Sequence, residues 1–284
     1  MSMKSFPLPV VALGPGSQEE DEALEYIAAP GEMTTFQTPM FPDSADAQAR
    51  SAALGVLEDL LGRMQQMRFG RNVEVDLSGL EAPARKLVNE ALGEGEVSAT
   101  VAGERPVRVQ ETVFAGLWRV VSEGAGDSDR IDRVEAGPMP SLVLSAGRDE
   151  ALKHIPAPAP GEGVINAPAV LTELNEAVGA RRPGAPAHII NLTLLPMSPE
   201  DLDYLGASLG VGPVVILSRG YGNCRITRTR LRDTWWVQYF NSTDKLILNT
   251  IEVTDLPDVA PAAREDVEDS IERLAEWIDA LRQD

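Results

Sequence analysis

Cys224, His154 and His188 are the side chains of this sequence best suited to nucleophilic or metal chemistry. A cysteine or serine nucleophile needs a base beside it and a third group to orient that base. His188 opens a predicted strand and His154 falls in a Pro-rich stretch, and nothing in the spacing brings either to Cys224. Structural zinc and iron–sulfur centres usually take about four ligands, mostly Cys or His. One cysteine and two histidines do not supply them. The chain is therefore expected to hold no resident cofactor or metal and to be no enzyme, with only a transient or carboxylate-based metal site left open. Gly220-Tyr221-Gly222 precedes a strand, whereas phosphate-cradling loops precede a helix, and Gly14-Pro15-Gly16-Ser17 lacks the lysine of a P-loop. Both read as turns.

The densest chemistry lies in Ser218–Arg232. This run carries Arg219, Arg225, Arg228, Arg230 and Arg232 and no acid, within a chain of formal charge −19. On a strand, Arg228, Arg230 and Arg232 would share one face by the two-residue period. One reading is a solvated edge that discourages strand aggregation. The other is a basic strip for an acidic or polar partner segment, with Tyr221, Asn223 and Cys224 presented beside it. Arg219 and Arg225 would lower the pKa of an exposed Cys224. Val107 stands at the matching place in the first half of the chain, and that fits a small buried hydrophobe equally well.

The elements that position this run repeat. Shifted by 117 residues, the chain aligns with itself without a gap from Ala52 to Pro140. Identical pairs include Leu54 and Leu171, Leu57 and Leu174, Gly62 and Gly179, Leu77 and Leu194, Gly93 and Gly210, Gly95 and Gly212, Arg108 and Arg225, Thr112 and Thr229, Trp118 and Trp235, and Glu135 and Glu252. Leu54, Leu57, Leu61 and Met64 recur at helical spacing, and Val73, Val75 and Leu77 alternate as a strand. A second helix follows and ends at Gly93. Strands are then predicted near Glu96–Val101, Val107–Phe114, Leu117–Val121 and Arg130–Ala136. The second copy repeats the order, with a helix capped by Ser198-Pro199-Glu200-Asp201 and strands near Pro213–Ser218, Arg225–Leu231, Trp235–Phe240 and Leu246–Val253. The expected fold is α+β: two tandem αβαββββ units with mostly antiparallel sheets, arranged about a pseudo-twofold.

The chain thus divides into an acidic, Pro-rich segment (1–43), a first repeat (44–140), a linker (141–160), a second repeat (161–257) and a C-terminal helix (258–284). Val267, Ile271, Leu274, Ile278 and Leu281 make one stripe on that helix, which is expected to pack on its own domain. The strongly acidic balance argues against nucleic acid and membrane surfaces as partners. No stretch reaches the roughly 20 apolar residues of a membrane span, and the N-terminus lacks the pattern of a signal peptide. A cytoplasmic location is expected.

Three stretches carry a family resemblance: Ser218-Arg219-Gly220-Tyr221-Gly222-Asn223-Cys224-Arg225-Ile226, Trp235-Trp236-Val237-Gln238-Tyr239-Phe240-Asn241, and Thr250-Ile251-Glu252-Val253-Thr254-Asp255-Leu256-Pro257. They resemble the HupH/HyaF family of hydrogenase expression/formation proteins. Phe6-Pro7-Leu8-Pro9 and Pro30-Gly31-Glu32-Met33 are similar to its opening segment. The resemblance implies an accessory chaperone for maturation of a [NiFe] uptake hydrogenase, attending the iron–sulfur small subunit before export, beside a thioredoxin-like maturation factor. The first copy has Gly103-Glu104-Arg105-Pro106-Val107-Arg108 in place of the signature, so the resemblance puts the working surface on the second copy. The rival roles for Cys224 are a ligand in a transient metal or iron–sulfur carrier and the thiol of an enzyme.

Overall fold

The computed structural model describes residues 46–122, 130–219 and 222–283. The first copy runs α1 (Ala47–Gln66), β1 (Val73–Asp76), α2 (Ala82–Leu92), β2 (Val97–Val101), β3 (Val107–Glu111), β4 (Leu117–Ser122) and β5 (Asp132–Ala136). A short α3 (Ser141–Ser145) follows. The second copy runs α4 (Ala167–Ala180), β6 (His188–Asn191), α5 (Pro199–Leu209), β7 (Val214–Ser218), β8 (Asn223–Arg228), β9 (Thr234–Phe240) and β10 (Leu246–Val253), and α6 (Arg264–Gln283) closes the chain. Both units have the expected αβαββββ order.

The repeated residues mark places where geometry leaves little choice. Gly93 and Gly210 end α2 and α5 at φ 58° and 60°, a conformation that costs glycine nothing. A Cβ at Gly95 would sit 2.3 Å from the carbonyl of Thr112, and one at Gly212 would sit 2.7 Å from that of Thr229. Trp118 and Trp235 are both wholly buried. Their indole N–H groups donate to the carbonyls of Gly137 and Thr254, themselves one repeat apart, at 2.9 and 3.3 Å. α1 buries Leu57 and Met64 with Ala53 and Leu60, while Leu54 and Leu61 of the expected stripe are only partly buried.

The two copies share one sheet. Its order is β1-β5-β4-β3-β2-β7-β8-β9-β10-β6, a palindrome in repeat terms, and every strand pair is antiparallel. At the centre Ala99 pairs with Ile216, its own counterpart, while Val97 pairs with Ser218 and Val101 with Val214. The pseudo-twofold axis therefore passes through the Ala99–Ile216 pair. Joining two sheets edge to edge removes two open strands that would otherwise invite foreign pairing.

One face of the sheet carries the central core: Trp118, Val120, Ile216, Cys224, Ile226, Trp235 and Val237 pack under Met139, Val143 and Ala260. The opposite face is covered only towards its ends. α1, α2 and α6 bury Leu117, Val134 and Ala136 at one end, and α4 and α5 bury Ile190, Ile251 and Val253 at the other.

The chain segments that follow each unit exchange partners. Residues 146–155 reach the second copy, where Leu152 bridges Leu231 and Ile155 exchanges hydrogen bonds with Asn175. α6 returns to the first copy, burying Leu274, Ile278 and Leu281 against α1, with Trp277 edge-on to Phe114. The expectation that α6 packs on its own domain is thus corrected: its partner is the other copy.

Two further departures matter. β1 pairs Val75 with Val134, but β6 pairs Ile190, not Leu192, with the counterpart Ile251. β6 has slid by two residues, which keeps each side chain on its face because the strand period is two. Leu192 takes the buried place of Leu77, and Leu194, the residue matched to Leu77 in sequence, is 80% exposed in a 3-10 turn. The other departure concerns β8, which ends at Arg228, so Arg230 and Arg232 lie in the connection to β9 and do not extend a strand face with Arg228.

Candidate functional site

Between the two helical layers the middle of the sheet is left open as a trough. Its first-copy half is a pocket of about 470 Å³, with Ser98, Thr100, Arg108, Gln110 and Arg119 on its floor and Asn89 of α2, with Gly93 and Glu94 just past its end, as its wall. Its second-copy half, about 380 Å³, is lined by Leu217, Arg219, Asn223, Arg225, Phe240 and Asp244. The halves adjoin because Ser98 pairs with Leu217 across the pseudo-twofold.

The signature residues are distributed by strand alternation. Arg219 and Asn223 are exposed at the turn between β7 and β8, where the Arg219 N–H donates to the Glu96 carbonyl. Asn223 donates to the Asp244 carboxylate at 3.2 Å. Arg225 is half-buried on the trough floor. Tyr221 lies outside the described residues.

Cys224 points the other way, into the central core, and is 4% exposed. Burial pushes its thiol up to about 11, although a hydrogen bond with Tyr239 acts in the opposite sense. Desolvation disfavours a thiolate more than the nearby arginines favour one, because those arginines stand on the solvent side of the sheet. Of the two readings the sequence left open, activation by Arg219 and Arg225 or burial as a small hydrophobe, the structure favours the second: a thiol held this way is a small core side chain.

Arg228 is also interior. Its guanidinium lies 4.4 Å from the Trp235 ring centroid and donates to the carbonyls of Ala146 and Leu144 at 3.0 and 3.2 Å. Burial lowers its pKa to about 10, so it stays cationic at neutral pH. Its role in the fold is to tie the C-terminal end of α3 onto the sheet. Arg230 and Arg232 are exposed, Arg230 against the end of α5 and Arg232 beside Asp233 at 3.5 Å. The basic run is thus split between a trough wall, the core and a distant loop.

A second arginine cluster has no contiguous signal in the sequence. Asp132 is buried beneath three guanidinium groups: Arg119 at 2.7 Å, Arg130 at 3.1 Å and Arg85 at 3.6 Å. One carboxylate faces three cations, a local excess of positive charge at this end of the trough, with exposed Glu94 on the neighbouring wall. Arg119 also donates to Asn89 and to the Arg133 carbonyl, which fixes its orientation. The second copy has replaced this cluster with neutral groups. Trp236 stands for Arg119, Asn249 for Asp132 and Leu202 for Arg85, and the Trp236 indole donates to Asn249 at 2.5 Å. Only the pairing of β4 with β5 and the overlay of α2 assemble the charged version.

Among the described residues, no group of three or more His, Cys, Asp or Glu side chains is placed to hold a metal ion. Among them, too, no helix is long and apolar enough to cross a membrane.

The fold describes a duplicated α+β protein whose shared sheet is left open along the middle of one face. The family described as HupH hydrogenase expression protein, C-terminal conserved region, matches twice, over residues 51–154 and 164–281. Both matches continue past the sheet into the exchanged segments. The hydrogenase expression/formation protein HoxQ of Cupriavidus necator is 45% identical over 98% of this chain and 100% of its own length. HupH of Rhodobacter capsulatus, of the same description, is 46% identical over 99% and 100%. A solved structure of hydrogenase expression protein HupH from Thiobacillus denitrificans is 28% identical, with a TM-score of 0.39 over 41% of this chain and 97% of that one. This chain belongs to the HupH hydrogenase expression protein family, and its homologues support a role in hydrogenase maturation.

Proposed function

We propose that this protein is a non-enzymatic maturation chaperone that holds the iron–sulfur small subunit of a [NiFe] uptake hydrogenase in the cytoplasm before export, beside a thioredoxin-like maturation factor. The observation that carries the reading is the open trough. The family signature supplies its second-copy wall through Arg219, Asn223 and Arg225, on a rigid sheet floor. Such a surface suits a transient protein contact, in which exposed charges speed encounter and set orientation. The buried, high-pKa Cys224 speaks for holding over thiol chemistry or cluster transfer.

The test is affinity capture from hydrogenase-expressing cells, comparing the unaltered chain with Arg219→Glu/Arg225→Glu. The unaltered chain is expected to retain the small subunit, and the double variant to retain at least tenfold less while remaining folded. Equal capture of the small subunit by both, or its absence from the unaltered chain's partners, would overturn the proposal.

A further inference from the structure

Gene duplication would by itself make the trough symmetric, with two equal ends and no direction. Arg108 and Arg225 keep that symmetry, standing at matched positions on β3 and β8 with β2 and β7 between them. Three strand spacings separate the two strands, about 14 Å, which an extended segment crosses with about four residues. The flanks have diverged. Beyond Arg108 lies the cluster in which one buried carboxylate meets three arginines. Beyond Arg225, on β9, lie half-buried Trp236 and Phe240, with half-buried Leu217 beside Arg225 on β7. The first-copy end thus carries the arginine cluster, and the second-copy end carries the larger apolar side chains beside Arg219 and Asp244, in a chain whose net charge is −19.

We propose that the trough binds a single extended segment of a partner protein in one direction, its carboxylates against Arg108 and the Asp132-centred arginines and its aliphatic or aromatic side chains over Leu217, Trp236 and Phe240. Charge complementarity selects the acidic end, since the cluster's three guanidinium charges exceed its one carboxylate by two. The proposal rests on the holding role for its biological partner, but the surface itself is testable without one.

The probe is a fluorescein-labelled peptide with two glutamates, a three-residue Gly/Ser spacer, then Leu and Phe, titrated against the full chain by fluorescence anisotropy. Two controls replace the glutamates with glutamine or the Leu-Phe pair with serine. Each control is expected to bind at least fivefold more weakly, and binding of the parent peptide should weaken from about 0.05 to 0.5 M salt as its charges are screened. Arg108→Glu should weaken the parent peptide at least tenfold. Thr100→Glu, which adds a carboxylate at an exposed floor position, should do the same, whereas Lys153→Glu, outside the trough, should not. Equal binding of all three peptides, or no effect of Arg108→Glu and Thr100→Glu, overturns the proposal. A chain with Glu19, Glu20, Asp21, Glu22 and Glu25 changed to their amides tests the protein's own acidic run as the occupant. Unchanged affinity supports a partner segment, and a tenfold gain assigns the trough to that run instead. If the peptide assay fails while the small subunit is still captured from cells, only the trough inference falls.

Discussion

At the scale of single residues, alternation along β8 decides what each signature side chain does. Arg225 and Asn223 face the trough, while Cys224 and Ile226 face the core between them. Tyr239 pairs with Cys224, and burial pushes its hydroxyl up to about 12, with the neighbouring Cys224 acting in the same sense, while burial holds the Cys224 thiol protonated against that hydrogen bond. The chemical consequence is measurable. With a thiol pKa of about 11, Cys224 in the native protein should react with iodoacetamide at pH 8 more than tenfold slower than in denaturant. Its rate should climb as pH approaches 10. Native labelling at the denatured rate, followed by mass spectrometry, would show that the thiol is accessible and ionised.

At the scale of elements, the β6 slip shows how an alignment without gaps can hide a structural insertion. The connection from Leu192 to α5 absorbs two extra residues, and Leu194 is extruded with them. α5 is anchored despite this, because buried Asp201 accepts N–H bonds from Ile165, Asn166 and Ala167 while completing a capping box with Ser198. Burial acts to raise its pKa, but those bonds outweigh it and hold the carboxyl below its ordinary value. Leu192→Ala should cost about 2–5 kcal/mol, as should Leu77→Ala, whereas Leu194→Ala should stay within about 0.5 kcal/mol. Urea titration of the three variants checks this. A large loss at Leu194 would mean that the strand is in the register the sequence match implies.

At the scale of the molecule, the exchanged segments and the continuous sheet make two copies into one body. α6 closes the core of the first copy although it follows the second, and Arg228 of the second copy holds the segment leaving the first. Neither copy keeps its own terminal segment, so unfolding one copy strips surface from the other. A single cooperative urea transition is expected for tryptophan fluorescence and far-UV circular dichroism alike. Leu274→Ala, at a fully buried α6 position, should move the whole transition by about 2–5 kcal/mol without splitting it. Two separated transitions would mean that the copies fold as independent domains.

Much of this protein was legible before its tertiary structure. Repeated glycines, tryptophans and apolar spacing established the duplication, the unit order and the helix ends at Gly93 and Gly210, because backbone geometry and core packing act on local sequence. The family resemblance lay in three stretches of the second copy, Ser218–Ile226, Trp235–Asn241 and Thr250–Pro257. Three things were decided only in three dimensions. The basic run was separated because strand direction and burial depend on the pairing of β7, β8 and β9. The arginine cluster at Asp132 was assembled because residues far apart in the chain meet across β4, β5 and α2. The exchange of terminal segments was settled by which apolar surface each segment covers. α6 has one apolar stripe whichever copy it meets, and periodicity says that a face must be buried without saying against what.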